Sequence, residues 1–328
     1  MTTLVTGASG FIGSAVVRAL LQSGRHVRVL LRPQSDRRNI EGLPVRVVIG
    51  DLADRTSLAQ AVAGCDALFH VAADYRMWVP DPDHIYGINV SGTRELMMAA
   101  ADAGVSRIVY TSSVATLGLN DDGSPADEDT PTTIADMIGH YKRSKFLAEQ
   151  AVRELVAQTG LPAVIVNPSA PVGPRDIRPT PTGRLIVDAA RGRMPAYVDT
   201  GLNLVHVDDV AIGHVLAFER GRIGERYILG AENMSLRDIL SAVAEISGKH
   251  APRLQVPHSV VLPLAYACEI WARLSGSEPW ITVDAVRLSK KHMYFSTDKA
   301  KHELGFEPRP AREGLVDAIA WFHQHHYC

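Results

Sequence analysis

Cysteine is scarce in this chain of 328 residues: Cys65, Cys268 and Cys328 stand far apart, with no Cys-x-x-Cys or Cys/His spacing among them. A disulfide framework and a zinc site are therefore not expected, and a reducing cytoplasm fits best. Long hydrophobic runs are missing too. The longest, Val260 to Cys268, is broken by Pro263 and falls far short of the roughly 20 residues needed to cross a membrane. The first strand begins within three residues of Met1, which leaves no space for a basic leader with an apolar core, so a soluble chain is expected. No block of like charge, repeat or low-complexity tract is present, and a formal charge of −2 gives no electrostatic reason to expect nucleic acid as a partner. Lysine is rare, 7 against 27 arginines; genome composition alone produces such a bias, so an arginine carries weight only where a motif places it. What remains is an ordinary 46% hydrophobic, 21% charged composition, suited to one large or two closely joined domains.

Short β-branched runs alternate with amphipathic stretches in the first half. Strands are expected at Thr3 to Thr6, His26 to Leu31, Val45 to Ile49, Ala67 to Val71, Arg107 to Thr111 and Ala163 to Val166, and helices at Phe11 to Gln22, Ser57 to Ala63, Ile88 to Ala103 and Tyr141 to Gln158. That alternation predicts a doubly wound parallel sheet with helices on both faces. After Pro168 the pattern loosens into a proline-punctuated segment. A strand at Leu204 to Val207 follows, then a helix capped by Asp208 or Asp209, a strand at Arg226 to Leu229, and a helix opened by Ser235 with Asp238 three residues on. This half reads as a smaller substrate lobe partly woven back into the sheet.

Two motifs carry chemistry. In Thr6-Gly7-Ala8-Ser9-Gly10-Phe11-Ile12-Gly13, Gly7 permits a tight turn out of the first strand, Gly10 admits a pyrophosphate to backbone N–H groups, and Gly13 lets the helix lie close on the sheet. Tyr141-Lys142-Arg143-Ser144-Lys145 places Tyr141 and Lys145 at i and i+4 on one helix face. A lysine ammonium there stabilises a phenolate and lets the tyrosine exchange a proton with a carbinol or carbonyl. With 9 Tyr and 7 Lys in the chain, a Tyr-x-x-x-Lys pair arises by chance about 0.2 times, as does the glycine pattern; their order and separation are what matter.

At the end of the second strand, where a carboxylate holds the ribose of NAD, stand Leu31 and then Arg32, with Arg37 and Arg38 close behind. A cation there suits the extra phosphate of NADP(H), which is favoured, with NAD(H) the alternative and a solvated arginine cluster the plainer reading. Asp51 in Gly50-Asp51-Leu52 is placed to meet the adenine edge, or else caps a helix. His70-Val71-Ala72-Ala73 ends the fourth strand beside the cofactor, with His70 itself read as a packed core residue. Tyr110-Thr111-Ser112-Ser113 ends the fifth strand, where a hydroxyl can bind the oxygen that gains charge during hydride transfer.

These segments, with Asn89-Val90-Ser91-Gly92-Thr93 and His206-Val207-Asp208-Asp209-Val210, resemble the extended short-chain dehydrogenase/reductase superfamily along essentially the whole chain. The resemblance implies a Rossmann-like α/β fold, with a dinucleotide-binding domain over residues 1–168, joined by sheet segments from about 204–232, and a substrate-binding lobe over 169–328. It puts the catalytic hydroxyl on Ser113, the acid/base on Tyr141, its partner on Lys145, and a supporting role in the proton relay on Asn89, whose plainer reading is a helix cap. Cofactor contacts carry over to Gly7, Ser9, Gly10, Phe11, Ile12, Gly13, Arg32, Asp51, Leu52, Val71, Ala72, Ala73, Thr111, Tyr141, Lys145 and Pro168. No metal is implied. A homodimer paired through the helices at Ile88 to Ala103 and Tyr141 to Gln158 is implied as well.

A closer resemblance, carried by Leu68 to Pro82, Met137 to Glu149, Asn167 to Gly183 and Pro195 to Asp209, is to hopanoid-associated sugar epimerases and their dihydroflavonol-4-reductase-like relatives. Nucleotide-sugar enzymes of the superfamily place Arg-Asp-aromatic before the His-Val pair; here the positions hold Leu202-Asn203-Leu204, so the diphosphate ligand is missing and Asn203 is the substrate contact at that place. Arg175 or Arg184 are the candidates to compensate. Sugar 4,6-dehydratases follow the catalytic hydroxyl with Asp-Glu, whereas Ser113 is followed by Val114-Ala115. Tyr75 to Pro80, including Tyr75 and Trp78, offers aromatic walls to a small-molecule substrate or else packs as core. The expectation is a ketone reductase or secondary-alcohol dehydrogenase, with an epimerase holding NAD tightly as the alternative and a catalytically silent NADP(H) sensor as the third reading. The resemblance brings the chain near hopanoid lipid precursors, and the amphipathic Val260 to Leu274 stretch reads either as packing or as peripheral membrane contact.

Overall fold

Valine, isoleucine and leucine crowd the strands of the first half because most of those strands are covered on both faces. The computed structural model describes every residue except Met77, Val79, Pro80 and Glu278. In chain order its elements are β1 (Thr2–Thr6), α1 (Phe11–Gln22), β2 (His26–Leu31), β3 (Val45–Ile49), α2 (Arg55–Val62), β4 (Ala67–His70), α3 (Pro82–Tyr86), α4 (Thr93–Asp102), β5 (Arg107–Thr111), α5 (Gly139–Thr159), β6 (Ala163–Pro168) and β7 (Ala170–Val172). They continue with α6 (Pro181–Ala190), β8 (Ala196–Tyr197), β9 (Gly201–His206), α7 (Val207–Arg220), β10 (Arg226–Leu229), β11 (Glu232–Ser235), α8 (Leu236–Ser247), β12 (Leu254–Gln255), α9 (His258–Ser275), α10 (Val283–Leu288), β13 (His292–Met293) and α11 (Ala311–Gln324).

The main sheet has seven parallel strands in the order β10-β6-β5-β4-β1-β2-β3, with Val5 of β1 opposite Val29 on one side and Phe69 on the other. The chain leaves β1 toward β2 and β3 on one side and returns to build β4, β5 and β6 on the other. The point between β1 and β4 where the order reverses is where an open α/β sheet leaves a crevice above its carboxyl ends. One core packs Val16, Val17 and Leu20 of α1 and Val210 and Ala217 of α7 against one sheet face. The other face is covered by Leu58 and Val62 of α2, Leu96 and Met97 of α4, and Ala148 and Val152 of α5.

Within residues 204–232, β10 enters the main sheet beside β6, whereas β9 and β11 pair antiparallel in a second, four-stranded sheet with β7 and β13. A third core joins that sheet to α6, α8 and α11 through Leu204, Ile239, Leu315 and Phe322. Two helix starts differ from the sequence expectation. The α7 cap is His206, whose Nδ1 accepts from the Asp208 N–H at 3.0 Å, so Asp208 and Asp209 fall in the first turn, where their charge favours the helix dipole. The helix expected from Ile88 instead opens with a π-helical turn over Gly87–Gly92 before α4, a distortion that relocates one side chain relative to its neighbours. Ser235 does open α8, accepting from Asp238 N–H at 3.1 Å.

Candidate active site at the carboxyl edge of the sheet

The glycine loop fits a dinucleotide by its shape. Gly7 has φ +71°, and a Cβ there would meet the Ala72 nitrogen at 2.7 Å; a Cβ on Gly13 would stand 2.0 Å from the Gly7 carbonyl. Gly10 is the N-cap of α1 and has no side chain to bond the first-turn N–H groups. Those groups, beside Ser9, Phe11 and Ile12, are left for an anion. Thr6 ties the end of β1 to β4, with its hydroxyl against His70 Nδ1 at 2.7 Å and accepting from Ala72 N–H at 3.2 Å. That fixes Val71, Ala72 and Ala73 as a small-residue wall.

The Arg32 side chain is exposed at the end of β2, and neither Arg32 nor Arg37 makes an ion pair among the described residues, whereas Arg38 is held by Asp36 at 2.7 Å. Asp51 accepts from Ala53 N–H at 2.9 Å and shapes its own turn, while Leu52 packs beneath Gly92. Pro168 is buried at the end of β6.

Ser113 and Tyr141, 28 positions apart in sequence, come close enough in space for the serine side chain to act on the Tyr141 phenol. The sheet edge places the first just beyond β5 and the helix places the second in the opening turn of α5. Burial raises the Tyr141 phenol above its ordinary pKa, and the nearby Ser113 side chain opposes that rise. Lys145, one turn further along α5, makes its hydrogen bonds to β5. Its ammonium, only 3% exposed, donates to the Thr111 carbonyl at 2.8 Å and to the Tyr110 hydroxyl at 3.2 Å. A buried ammonium turns to the nearest acceptors, and here those lie on β5. Burial lowers its pKa to about 8, opposed by the charge of Glu149.

Asn89 is buried but is not a cap. Its Oδ1 accepts from Asp74 N–H at 2.8 Å and its Nδ2 donates to the Asp74 carbonyl and the Ser144 hydroxyl, both at 2.9 Å. It pins the chain after β4 to α5, and the π-helical turn aims it there. Tyr75 is exposed, and the charges that bear on its phenol come from Asp176, Arg178 and Arg184, across the crevice, as well as from Asp74. Trp78 is half-buried; Met77, Val79 and Pro80 of the same segment lie outside the described residues. Asn203 does not reach a substrate. It is 2% exposed, donates to Asn233 Oδ1 at 2.8 Å and the Phe295 carbonyl at 3.2 Å, and accepts from Ala231 N–H at 3.0 Å. With its amide fully engaged it braces β9 against its neighbours. Arg175 is committed to Asp208; Arg184 stays exposed on α6.

Sequence reasoning missed the support beneath Ser113. Glu149, one turn beyond Lys145 on α5, accepts from the hydroxyls of Ser112 at 2.5 Å and Thr116 at 2.8 Å and from Asn167 at 2.9 Å, and faces Arg226 at 3.2 Å. Asn167 also donates to the Ser113 carbonyl at 3.0 Å. The i+4 spacing from Lys145 was the available signal.

Two buried histidines flank the site. His70 bonds Thr6 and Thr93, and His214 bonds Thr111 at 2.9 Å. Burial lowers them to about 3 and about 4 from 6.5, so both are neutral in the folded chain. Below about pH 6.5 the unfolded chain binds more protons than the folded one, and stability falls with pH at about 1.4 kcal/mol per unit for each histidine. The window runs from 6.5 down to about 4 for His214 and about 3 for His70. Urea midpoints should therefore drop between pH 7 and pH 5; a flat profile would contradict the neutral assignment.

A family model described as the NAD dependent epimerase/dehydratase family matches residues 3–230. The chain is 46% identical over 327 residues, 98% of its own length and 95% of the relative's, to a putative dihydroflavonol 4-reductase of Synechocystis sp. (strain ATCC 27184 / PCC 6803 / Kazusa). It is 37% identical over 326 residues, 99% of each chain, to sterol demethylase protein B of Methylococcus capsulatus (strain ATCC 33009 / NCIMB 11132 / Bath). The crystal structure of gox2253 matches with a TM-score of 0.90 at 57% identity over 99% of each chain.

Proposed function

Because this chain belongs to the NAD dependent epimerase/dehydratase family, within the extended short-chain dehydrogenase/reductases, we propose that it reduces a ketone, or oxidises a secondary alcohol, on a small apolar substrate. The observation that carries the reading is the juxtaposition of Ser113 and Tyr141 at the sheet edge that also carries the glycine loop, whose helix start has no side-chain cap. A bound nicotinamide cofactor supplies or accepts the hydride. Ser113 and Tyr141 bind the substrate oxygen, and Tyr141 donates the proton as charge develops there. Lys145 keeps a positive charge beneath the site and is placed for the cofactor's ribose, while Asn89 holds the crevice wall in register with α5.

The missing diphosphate arginine at Asn203 supports an apolar substrate over a nucleotide sugar, and a relative named for sterol demethylation supports a lipid-like one. Hopanoid-related chemistry is one such setting. An epimerase would use the same Ser113, Tyr141 and Lys145, so the distinguishing measurement is the nucleotide released on denaturing freshly purified protein, with NADPH and NADH titrations on the same sample. Empty protein that prefers NADPH supports the reductase; retained NAD⁺ supports the epimerase.

The same reading favours NADP(H), through Arg32 and Arg37. Replacing Arg32 with alanine should weaken NADPH by roughly 10- to 100-fold, the loss of one charge-assisted phosphate contact, and leave NADH unchanged. Equal loss for both nucleotides in a titration would remove Arg32 from the 2′-phosphate. The family's usual pairing through α4 and α5 makes a homodimer the expected state, which sedimentation tests, and a reducing cytoplasm suits the three free cysteines.

A further inference from the structure

Helix α9 is apolar on both sides, yet only one side is covered. Ala265 and Ala272 are its buried residues, and Ala265 packs with Val261 and Leu262 against Val283 and Val286 of α10. Val260, Leu264, Trp271 and Leu274 follow at i, i+4, i+11 and i+14, which sets them in one stripe about half a turn away from the packed side. They are 62%, 49%, 69% and 79% exposed, with Ile270 beside them at 59% and Trp280 just beyond the helix at 85%. A helix that is hydrophobic all round is normally buried, and a contiguous exposed patch of this kind marks a contact surface.

The charge of the segment that carries this helix says what the contact is. Residues 249–291 contain Lys249, Arg253, Arg273, Arg287, Lys290 and Lys291 against Glu269, Glu278 and Asp284, a net charge of about +3 by residue count, in a chain whose total is −2. All six cations are exposed. Among the acids, Glu269 is turned inward to accept from Val283 N–H at 2.7 Å, and Asp284 faces Arg287 at 3.8 Å. A two-fold copy of the chain would bring this basic segment up to itself, whereas an anionic lipid surface complements its charge. Two tryptophans at the outer end suit the headgroup boundary, and no helix among the described residues is long and apolar enough to cross a membrane.

We propose that α9 and the turn to Trp280 form an interfacial docking surface for an anionic bilayer, with the apolar stripe in the headgroup layer and the basic side chains of the segment on lipid phosphates. The helix on which α9 packs lies next to the site. A Cβ on Gly139 would meet Asp284 of α10 at 3.0 Å, and Lys142 Nζ lies 4.0 Å from Met293 Sδ, so the element that carries α9 abuts the turn bearing Tyr141. A lipid-like substrate would thus meet the crevice from the membrane side; that last clause rests on the proposed function, while the docking does not.

The test is flotation of the full chain with phosphatidylcholine vesicles, with and without 30% phosphatidylglycerol (about one lipid in three, enough to give the negative surface potential that attracts basic segments). Binding to the anionic vesicles should be at least about tenfold stronger, fall with added salt, and shift tryptophan emission to the blue. Trp271→Ser with Leu274→Ser should lose at least about tenfold of that binding while thermal midpoint and NADPH affinity stay unchanged, since both side chains are exposed. Arg273→Glu with Lys290→Glu should abolish the preference for anionic lipid. Wild-type protein that stays unbound to both vesicles, or a double serine variant that binds as well as wild type, would overturn the proposal. So would a wild-type dimer that the serine variant turns into a monomer, because the stripe would then be covered by a second copy. None of these readouts uses turnover, so a failed redox assignment and a failed docking surface are told apart.

Discussion

Tyr141→Phe should lower turnover by about 10² to 10⁴, the usual contribution of a positioned general acid, while NADPH affinity changes little. The substitution deletes one oxygen from a half-buried residue in the opening turn of α5. Ser113 then loses the nearby phenol oxygen but keeps its own cap on Ala115 N–H at 3.1 Å, so the loop after β5 is expected to hold its shape and the loss to fall on kcat. Full turnover in the variant with normal cofactor binding would remove Tyr141 from the chemistry. The pH profile gives a second view. Lys145 holds its proton only up to about pH 8, and above that the site loses its positive charge; the rate of ketone reduction should decline across that range in the wild type.

The main sheet was legible because buried parallel strands write their own lengths. His26–Leu31 and Arg107–Thr111, and the more exposed edge strand Val45–Ile49, are β-branched or aliphatic runs bounded by polar or glycine-containing turns, and they appear with the expected limits. The second lobe was less readable. Strands such as β8, β12 and β13 have two residues each, too few for a period of two to register, and their partners lie far along the chain, β12 on β8 and β13 on β9. Helical spacing correctly put Tyr141 and Lys145 on one face, but not where the lysine turns, because that is settled by the Thr111 carbonyl on a different element. Asn203 misled for a related reason. Its place in the chain marks a ligand position in nucleotide-sugar enzymes, and only the contacts with Asn233, Ala231 and Phe295 show its amide to be engaged. The exposure of α9 was equally out of reach, since an apolar helix in sequence looks the same whether or not a neighbour covers it.

Glu149→Ala should destabilise the fold by about 3–5 kcal/mol, the cost of removing one partner from a buried charge pair, and should also slow catalysis in whatever protein remains folded. The carboxylate is 3% exposed and Arg226 lies against it. Without it, the Arg226 guanidinium keeps the Glu128 carbonyl as an acceptor but loses its counter-charge, and the Ser112 and Thr116 hydroxyls lose a common acceptor. Those two residues bracket Ser113, and Asn167 is held between Glu149 and the Ser113 carbonyl, so loosening the centre moves the hydroxyl proposed to bind the substrate oxygen. Glu149→Gln separates the two effects. It retains an oxygen for Ser112 and Thr116 but not the charge, so stability should fall less than in the alanine variant while the Lys145 ammonium, which Glu149 helps to keep protonated, titrates at lower pH. The readouts are denaturant midpoints for both variants and the pH dependence of kcat for the glutamine variant. A loss below about 1 kcal/mol in the alanine variant, small beside the cost of an unpaired buried ion, would show that the network relaxes around the gap and does not hold Ser113 in place.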